Sequence, residues 1–449
     1  MEGKMELDVV NPRCAGIDVG SRSHFVAIGQ DISDVREFGV YAEDLTAICV
    51  WLKENGITSV AMESTGSYWQ NLYVELSKYG FDLVLANGKF TKNAKGKKTD
   101  VKDSRWIQKL HALGLLTSSF LPDETTEQLR TYCRQRTNWL HLAAEASSKM
   151  QKYLKLLNFR LDVVVKDVCG LTGLAIIEDI CKGNLDPVQL AEHRHYNCKK
   201  SKEEISKALK GNNREDYLFG LKQEHECYLF YQSKISDCDK QIDEFMKSQI
   251  GADPIKKKLQ TTVKKHKRNN KNAPGIDLNQ LAFQYFGGID FMAIEGVSHS
   301  TVLTIISEVG PDGFSKFPTA KHFTSWVRLA PNNKISGGKV LSHRIPKGSN
   351  RLKIALRQSA NAIGNLKDTH MSDFFKRVAF RKGRQAAVSA TARKLAVIIW
   401  NMAYKKMPYL PEKEYLFLDQ KRQMKIVTRI RKQITKFDLK PEQLGFATN

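Results

Sequence analysis

The first 120 residues alternate between short apolar runs and amphipathic stretches, separated by turn-forming residues. Runs such as AGIDVG at 15–20 and SVAMEST at 59–65 have the length and composition of strands. Apolar positions three and four apart over 43–54 predict a helix. The whole pattern predicts the order β-β-β-α-β-α-β-loop-α, with strands at 15–20, 24–31, 37–42, 59–65 and 81–87 and helices at 43–54, 68–80 and 99–116. A mixed sheet with helices on its faces follows from that order.

The middle of the chain is predicted to be helical. It contains two apolar seams, that is, two series of mostly apolar residues spaced so that they form one stripe along a helix. The first runs from Leu129 to Leu157 in steps of four and three, interrupted by Arg136 and Ser147. The second runs over 221–245. Such spacing is typical of helices that pack lengthwise, either as an antiparallel hairpin, as a dimerisation coiled coil, or as both. Ordinary bundle packing gives the same spacing, so the sequence leaves these alternatives open.

The last third is predicted to be mostly helical. Residues 293–310 have the pattern of a turn followed by a helix and a glycine, and 317–331 have that of a second helix ending at Pro331. The pair resembles a helix-hairpin-helix, whose glycine-containing turn brings backbone N–H groups against nucleic-acid phosphate. The segment 410–449 is basic and is predicted to be a helical tail that contacts nucleic acid.

The net charge of the chain indicates which class of molecule it binds. The 449 residues include 71 Lys and Arg against 48 Asp and Glu, a formal net charge of +23. This excess indicates a polyanionic partner, with nucleic acid the first candidate and an anionic membrane surface the second. No apolar run approaches the 18 or so residues of a transmembrane helix, and the N-terminus carries no signal-peptide pattern, which predicts a cytosolic protein.

Four acidic residues stand out against the predicted sheet. Asp18 and Glu63 each lie near the end of an apolar strand, and Asp100 and Asp103 open a helix on one of its faces. Sites of open α/β sheets lie at strand ends, and a carboxylate inside an apolar strand is costly unless it is paired or metal-bound. Singly, each acid also has a structural interpretation as a turn former or a helix N-terminal charge. Together they predict a site for Mg²⁺ or Mn²⁺ suited to phosphoryl displacement.

Ser336 precedes two glycines that permit close backbone approach to a bound group. Cations around it would neutralise a phosphate and favour attack by its hydroxyl, although S-G-G is also a common hairpin turn. The residues predicted to contact nucleic acid here are Lys334, Lys339, Arg344, Lys347 and Arg351. A tract at 255–272 adds eight Lys or Arg and no acid, and is predicted to contact phosphate through Lys256, Lys257, Lys258, Lys264 and Lys265, with a solvated loop as the alternative.

These motifs resemble a known family. GIDVGSRSHFVAI (16–28), AMESTGSYW (61–69) and KTDVKDS (98–104) resemble the RuvC-like domain of the DEDD-type insertion-sequence transposases, the insertion sequence one-hundred-ten family. LAPNNKISGG (329–338) and KGSNRL (347–352) resemble that family's serine-bearing transposase domain. The acids of the family motif fall on Asp18, Glu63, Asp100 and Asp103, and its catalytic serine falls on Ser336.

The resemblance implies an RNase H-like (RuvC-like) sheet and a DNA recombinase that forms a covalent phosphoserine intermediate with the help of Mg²⁺. It also implies a structured guide RNA, the bridge RNA, that pairs with target and donor DNA, and a homo-oligomer, dimer or tetramer, in which Ser336 of one subunit works beside the acidic site of another. The expected place of action is the nucleoid of a prokaryotic cell. The expected domains are 1–120 (RuvC-like), 121–290 (helical coiled-coil linker with basic insertion), 291–408 (transposase domain) and 409–449 (basic tail).

Two other functions fit the same residues. The first is a metal-dependent nuclease resembling a Holliday-junction resolvase, which uses water and leaves Ser336 with a structural role. The second is a non-catalytic nucleic-acid scaffold in which the acids are structural. A covalent protein–DNA intermediate separates the recombinase from the nuclease, and cleavage that depends on a divalent cation separates both from the scaffold.

Overall fold

The computed structural model describes residues 8–64, 66–91, 99–251, 255, 272–348, 350–410 and 420–439. The chain divides into two compact units, Met1–Leu121 and Pro122–Asn449. None of the helices in the described ranges is long and apolar enough to cross a membrane.

The first unit is built on a mixed sheet. In its described part the strands are β1 (Cys14–Val19), β2 (His24–Ala27), β3 (Val35–Phe38), β4 (Ser59–Glu63) and β5 (Asp82–Ala86). Their order across the sheet is β3-β2-β1-β4-β5, with β1 antiparallel to β2 and parallel to β4. This is the sheet of an RNase H-like fold, and it confirms the fold class predicted from the sequence.

Helices cover both faces of this sheet. They are α1 (Ala42–Glu54), α2 (Trp69–Lys78), the short α3 (Gly88–Thr91) and α4 (Asp100–Ala112). On one face the strand residues Ile17 and Met62 join a core with Ile48 and Leu72 from α1 and α2, and all four are fully buried. The strands therefore bury alternate positions here, while their other positions face α4.

The third strand differs from its prediction. It spans Val35–Phe38 rather than 37–42, because it pairs along the whole of the four-residue β2, from Ala27 opposite Val35 to His24 opposite Phe38. The chain then turns into α1, where the Asp44 carboxylate accepts a hydrogen bond from the Tyr41 N–H at 3.0 Å. Register with the neighbouring strand, rather than local apolar content, sets the limits of this edge strand.

In its described residues the second unit is mostly helical and contains one small hairpin. Its strands are β6 (Lys334–Ser336) and β7 (Lys339–Ser342). Its helices in the described ranges are α5 (Glu124–Leu156), α6 (Leu161–Val164), α7 (Leu171–Cys181), α8 (Pro187–Ala191), α9 (Lys202–Ala208), α10 (Glu215–Gln249), α11 (Leu278–Tyr285), α12 (His299–Glu308), α13 (Gly310–Gly313), α14 (Ala320–Trp326), α15 (Arg351–Ile363), α16 (His370–Lys382), α17 (Arg384–Lys405) and α18 (Gln420–Phe437).

The two long helices α5 and α10 form an antiparallel pair within the chain. Tyr132 meets Phe245 near one end, with ring centroids 6.1 Å apart, and Lys149 forms an ion pair with Glu224 nearer the other. At Arg136, where the apolar seam is interrupted, the guanidinium is buried and binds the Asp239 carboxylate through two nitrogens, at 2.5 and 3.3 Å. The two predicted seams therefore pair with each other, and the polar interruption is a buried ion pair.

Removing one partner of this pair should be strongly destabilising. Asp239→Ala leaves the buried Arg136 cation uncompensated, so we expect a loss of about 3–5 kcal/mol in the free energy of unfolding. The double variant Arg136→Met/Asp239→Leu should recover much of that loss. Urea unfolding followed by circular dichroism measures both. Breaking the exposed Lys182–Glu178 pair should cost less than about 1 kcal/mol and serves as the control. Equal costs for the buried and exposed pairs would contradict the assignment.

The helix-hairpin-helix region also departs from its expected limits. Ser298 caps α12, its hydroxyl accepting a hydrogen bond from the Thr301 N–H at 3.3 Å. The preceding Gly296 has φ +74° and packs on α15, where an added Cβ would lie 2.5 Å from the Ile363 side chain. The second helix, α14, ends at Trp326 rather than at Pro331, because Arg328 adopts a left-handed backbone conformation with φ +59°.

Candidate active site

Strand register brings Asp18 and Glu63 to the same end of the sheet. Ile17 is the parallel partner of Met62, so the next residue on each strand, Asp18 and Glu63, lies beside the other. Residues in register on parallel strands project from the same face of a sheet. The two carboxylates therefore lie on the face opposite the Ile17–Met62 core, and both side chains are partly exposed.

Helix α4 brings the other two acids to that end. It runs antiparallel to β1: Asn11 donates a hydrogen bond to the His111 carbonyl at 2.8 Å, and a Cβ added to Gly16 would lie 2.6 Å from the Ser104 carbonyl oxygen. Gly16 thus allows the helix to lie directly on the strand. The first turn of α4, with Asp100 and Asp103, therefore lies toward the strand end that carries Asp18.

The far end of α4 is fixed by an uncharged contact. His111 Nε2 lies 2.7 Å from Ser59 Oγ on β4. Burial lowers the pKa of His111 below its usual value, so the ring is neutral at pH 7. This contact holds the helix axis along the strands without adding charge near the acids.

Glu63 has partners that the sequence did not reveal. The buried Thr91 hydroxyl donates a hydrogen bond to Glu63 Oε2 at 2.5 Å. A Cβ at Gly88 would lie 2.5 Å from Glu63 Oε1, so the missing side chain leaves room for the carboxylate. Both residues belong to α3, which follows β5, and no motif around them signals this role. These two residues fix the position of the Glu63 carboxylate.

The four acids have side chains suited to binding a hard divalent cation. The fold places them toward the same end of the sheet but does not bring their carboxylates together around one point. Hard carboxylate oxygens match Mg²⁺ or Mn²⁺. Among the residues that the structure describes, no three His, Cys, Asp or Glu side chains converge closely enough to hold a metal ion. Four anions repel one another, so tighter convergence requires the charge of a cation. Their chemistry and common location fit the group, and their coordination geometry stays a prediction.

Ser336 lies at the tip of the β6–β7 hairpin in the second unit. Gly337 and Gly338 form the two-residue turn with φ +53° and +73°, the pattern of a type I′ turn, which glycine adopts without strain. Ser336 is exposed, and Lys339 is its direct cross-strand partner. In the described part of the chain its hydroxyl makes no hydrogen bond. The hairpin thus presents an exposed hydroxyl beside a cation, so the S-G-G turn is compatible with the predicted chemistry.

The remaining predicted contacts fall on the hairpin and the segment that follows it. Five cations lie there and are exposed in the structure: Lys334, Lys339, Arg344, Lys347 and Arg351. His343, the histidine nearest to Ser336 in the sequence, lies at the opposite end of the hairpin, with its Nδ1 3.2 Å from Asn333 Oδ1. Five further lysines predicted to bind nucleic acid lie outside the described residues: Lys256, Lys257, Lys258, Lys264 and Lys265.

Comparisons with known proteins agree with both motif regions. Residues 15–159 match the DEDD-type family profile described as "Transposase", and residues 290–376 match the profile described as "Transposase IS116/IS110/IS902 family". An uncharacterised 43.6 kDa protein of insertion element IS110 from Streptomyces coelicolor is 33% identical over 111 residues. That match covers 24% of this chain and 27% of the relative, so it spans about a quarter of the relative's length. The two profiles cover just over half of the chain and confirm the resemblance read from its motifs. The chain belongs to the IS110 family of transposases.

Proposed function

We propose that the protein is the recombinase of a mobile DNA element, cutting and exchanging DNA strands through a covalent phosphoserine intermediate. The observation that carries this proposal is the exposed Ser336 at a two-glycine turn beside Lys339. In support, the other unit carries the four acids of the family motif, with Asp18 beside Glu63 on adjacent parallel strands. A net charge of +23 supports a nucleic-acid substrate. Such a substrate lies in the nucleoid and so in the cytoplasm of a prokaryotic cell.

The serine chemistry conserves the energy of the DNA backbone. Ser336 Oγ attacks a phosphorus atom of the strand, a P–O bond to Oγ forms, and one P–O bond of the DNA breaks. The hydroxyl proton leaves Oγ, and the released strand end takes up a proton as it departs as an alcohol. In the second step the hydroxyl of another strand end attacks the phosphoserine and restores Ser336. Because one phosphodiester is exchanged for another, the reaction needs no ATP.

Lys339 and the four acids would have different roles in this reaction. Lys339 lies across the hairpin from Ser336 and would offset the charge that develops on the phosphate. Asp18, Glu63, Asp100 and Asp103 would hold Mg²⁺ or Mn²⁺, which when bound supplies Lewis-acid stabilisation of phosphate oxygens. Thr91 and Gly88 keep the Glu63 carboxylate in place for that role.

Sequence specificity would come from a structured guide RNA, the bridge RNA, whose loops pair with target and donor DNA. In this arrangement base pairing selects the site, while the protein grips backbone and shape. The exposed hairpin cations and the basic tract at 255–272 suit backbone contacts rather than base recognition, since the tract has no aromatic residues for stacking. We further propose that the active assembly is a homo-oligomer, a dimer or a tetramer.

A trapped intermediate tests the proposal directly. The full chain, produced with RNA transcribed from the non-coding DNA that flanks its gene, is incubated with Mg²⁺ and a nicked suicide DNA that carries the element's ends. Loss of the short strand after cleavage should leave DNA attached to the protein, and mass spectrometry should map the adduct to Ser336. An adduct elsewhere would overturn the serine assignment. Free cleaved ends without an adduct would indicate the water-using nuclease, and the absence of Mg²⁺-dependent cleavage would indicate the scaffold.

A further inference from the structure

A long stretch of the second unit contains cations and no acids. Between Asp312 and Asp368 the 55 intervening residues include eleven Lys or Arg and no Asp or Glu. This stretch contains α14, the Ser336 hairpin and α15. Its cations therefore have no sequence neighbour of opposite charge, and any neutralisation must come from elsewhere in the fold or from a ligand.

Two of these cations hold the loop between the hairpin and α15. Lys353 Nζ donates a hydrogen bond to the Pro346 carbonyl at 2.9 Å, and Arg328 Nη1 donates one to the Lys347 carbonyl at 3.0 Å. Gly348, with φ +120°, lies so close that an added Cβ would clash with the Arg328 guanidinium. Since the two carbonyls belong to adjacent residues, the ammonium and the guanidinium lie close to one another.

This cluster has an unbalanced positive charge. Lys353 is only 8% exposed, and burial together with Arg357 and Arg328 lowers its pKa. Arg357 donates a hydrogen bond to the Ser389 hydroxyl at 2.7 Å, a neutral partner. In the described part of the chain no Asp or Glu forms an ion pair with any of the three cations. A buried charge such as that of Lys353 normally has a counter-charge, so the cluster is suited to receive an anion.

We propose that Arg328, Lys353 and Arg357, with the loop 346–348, bind a phosphate of the DNA strand on which Ser336 acts. The loop begins directly after the hairpin, whose neck is closed by a hydrogen bond from the Asn332 N–H to the Arg344 carbonyl at 3.0 Å. A strand that lies along the hairpin from its tip to its neck would contact both Ser336 and the cluster. This connection favours DNA over RNA as the source of the phosphate. The inference rests on the proposed recombinase function.

The N–H donors of the cluster that do not bind the loop carbonyls are suited to bind a phosphodiester. An ammonium has three N–H donors and a guanidinium five, and the loop carbonyls use one of each. The rest can reach phosphate oxygens, which accept charge-assisted hydrogen bonds from both groups. The site would thus anchor the strand backbone at the neck of the hairpin and leave Ser336, at its tip, free to reach a phosphorus farther along the strand. Its role is positioning, since none of the three cations is needed for bond exchange itself.

Inorganic phosphate tests the anion site without any nucleic acid. Replacing chloride by phosphate at constant ionic strength should raise the melting temperature of the wild-type chain. Arg328→Gln and Arg357→Gln should lose most of that rise, while Lys367→Gln, which removes an exposed lysine at the end of the same acid-free stretch, should keep it. Arg357→Gln leaves the loop contacts untouched, so it reports on the site even if Arg328→Gln disturbs folding. Equal stabilisation of the wild type and both arginine variants would overturn the site.

The salt dependence of duplex binding tests the DNA assignment. Arg328→Gln should lower the slope of log K against log salt by about 0.9, the value of one duplex phosphate contact, and Arg328→Lys should retain it. An unchanged DNA slope, or a fall confined to RNA of the same length, would overturn the assignment to DNA. If the wild type shows phosphate stabilisation and no DNA binding, the proposed function fails while the anion site stands. If the wild type binds DNA and the variants match it, the inference alone fails.

Discussion

Ser336→Ala is expected to abolish DNA cleavage and strand exchange while leaving DNA and RNA binding unchanged. Removing the attacking oxygen leaves no atom to form the phosphoserine bond, so the rate should fall by about three orders of magnitude or more. The side chain is exposed at a hairpin tip, so its loss creates no cavity and should not alter stability. A recombination assay on plasmid DNA and a gel-shift assay on the same preparation measure the two properties.

Two variants sharpen this test. Ser342→Ala removes a hydroxyl from the other strand of the same hairpin. The Ser342 hydroxyl accepts a hydrogen bond from the Arg344 N–H at 3.3 Å. This variant should keep near-wild-type activity. Ser336→Cys should retain at most a trace, because a thiolate is nucleophilic but longer and softer than an alkoxide. Recombination by Ser336→Ala at the wild-type rate would remove this residue from the chemistry and favour the nuclease alternative.

Asp18→Asn and Glu63→Gln are each expected to abolish strand cleavage with nucleic-acid binding largely intact. Each substitution removes one negative charge from the group that would hold the divalent cation, and each replaces a strong oxygen ligand by a weak one. The two residues lie side by side at the ends of β1 and β4, so both variants should fail in the same way. Cleavage of labelled DNA over a range of Mg²⁺ and Mn²⁺ concentrations measures the effect.

The matched control for these variants is Asp82→Asn. Asp82 is an exposed carboxylate at the opposite end of the same sheet, where it begins β5. Its loss should change neither cleavage nor its dependence on metal. The metal-site assignment would be wrong if Glu63→Gln recombined DNA at the wild-type rate, or if Asp82→Asn and Asp18→Asn lost activity equally.

Much of the first unit could be predicted from local pattern. Strand and helix periodicity located β1, β4, β5, α1, α2 and α4 to within a few residues, because each element buries one face and its apolar spacing records that face. The edge strand β3 was displaced from its prediction because pairing with β2 decides its limits. The short helix α3 was missed, since its four residues are too few for a periodic signal.

The four acids of the candidate site could be predicted from the sequence, but the residues that hold Glu63 in position could not. Asp18 and Glu63 are conspicuous because a charge interrupts an apolar strand, and Asp100 and Asp103 because they open a helix. Thr91 and Gly88 contact Glu63 because the chain after β5 folds back toward the end of β4. The residues around them show no sequence pattern that predicts this path.

The sequence alone determined the element pattern of the first unit, the excess of positive charge and the motif positions that place the chain in its family, because these are properties of neighbouring residues. Only the tertiary structure decided which seam packs on which. It paired Arg136 with Asp239, 103 residues away, and with the contacts of Tyr132 and Lys149 it showed that the two long helices form an antiparallel pair. It also gathered Arg328, Lys353 and Arg357, which have no carboxylate counter-charge in the part of the chain that the structure describes. The physical reason is that periodicity specifies which face of an element is buried, whereas the partner of a buried charge is specified by packing between elements far apart in the chain.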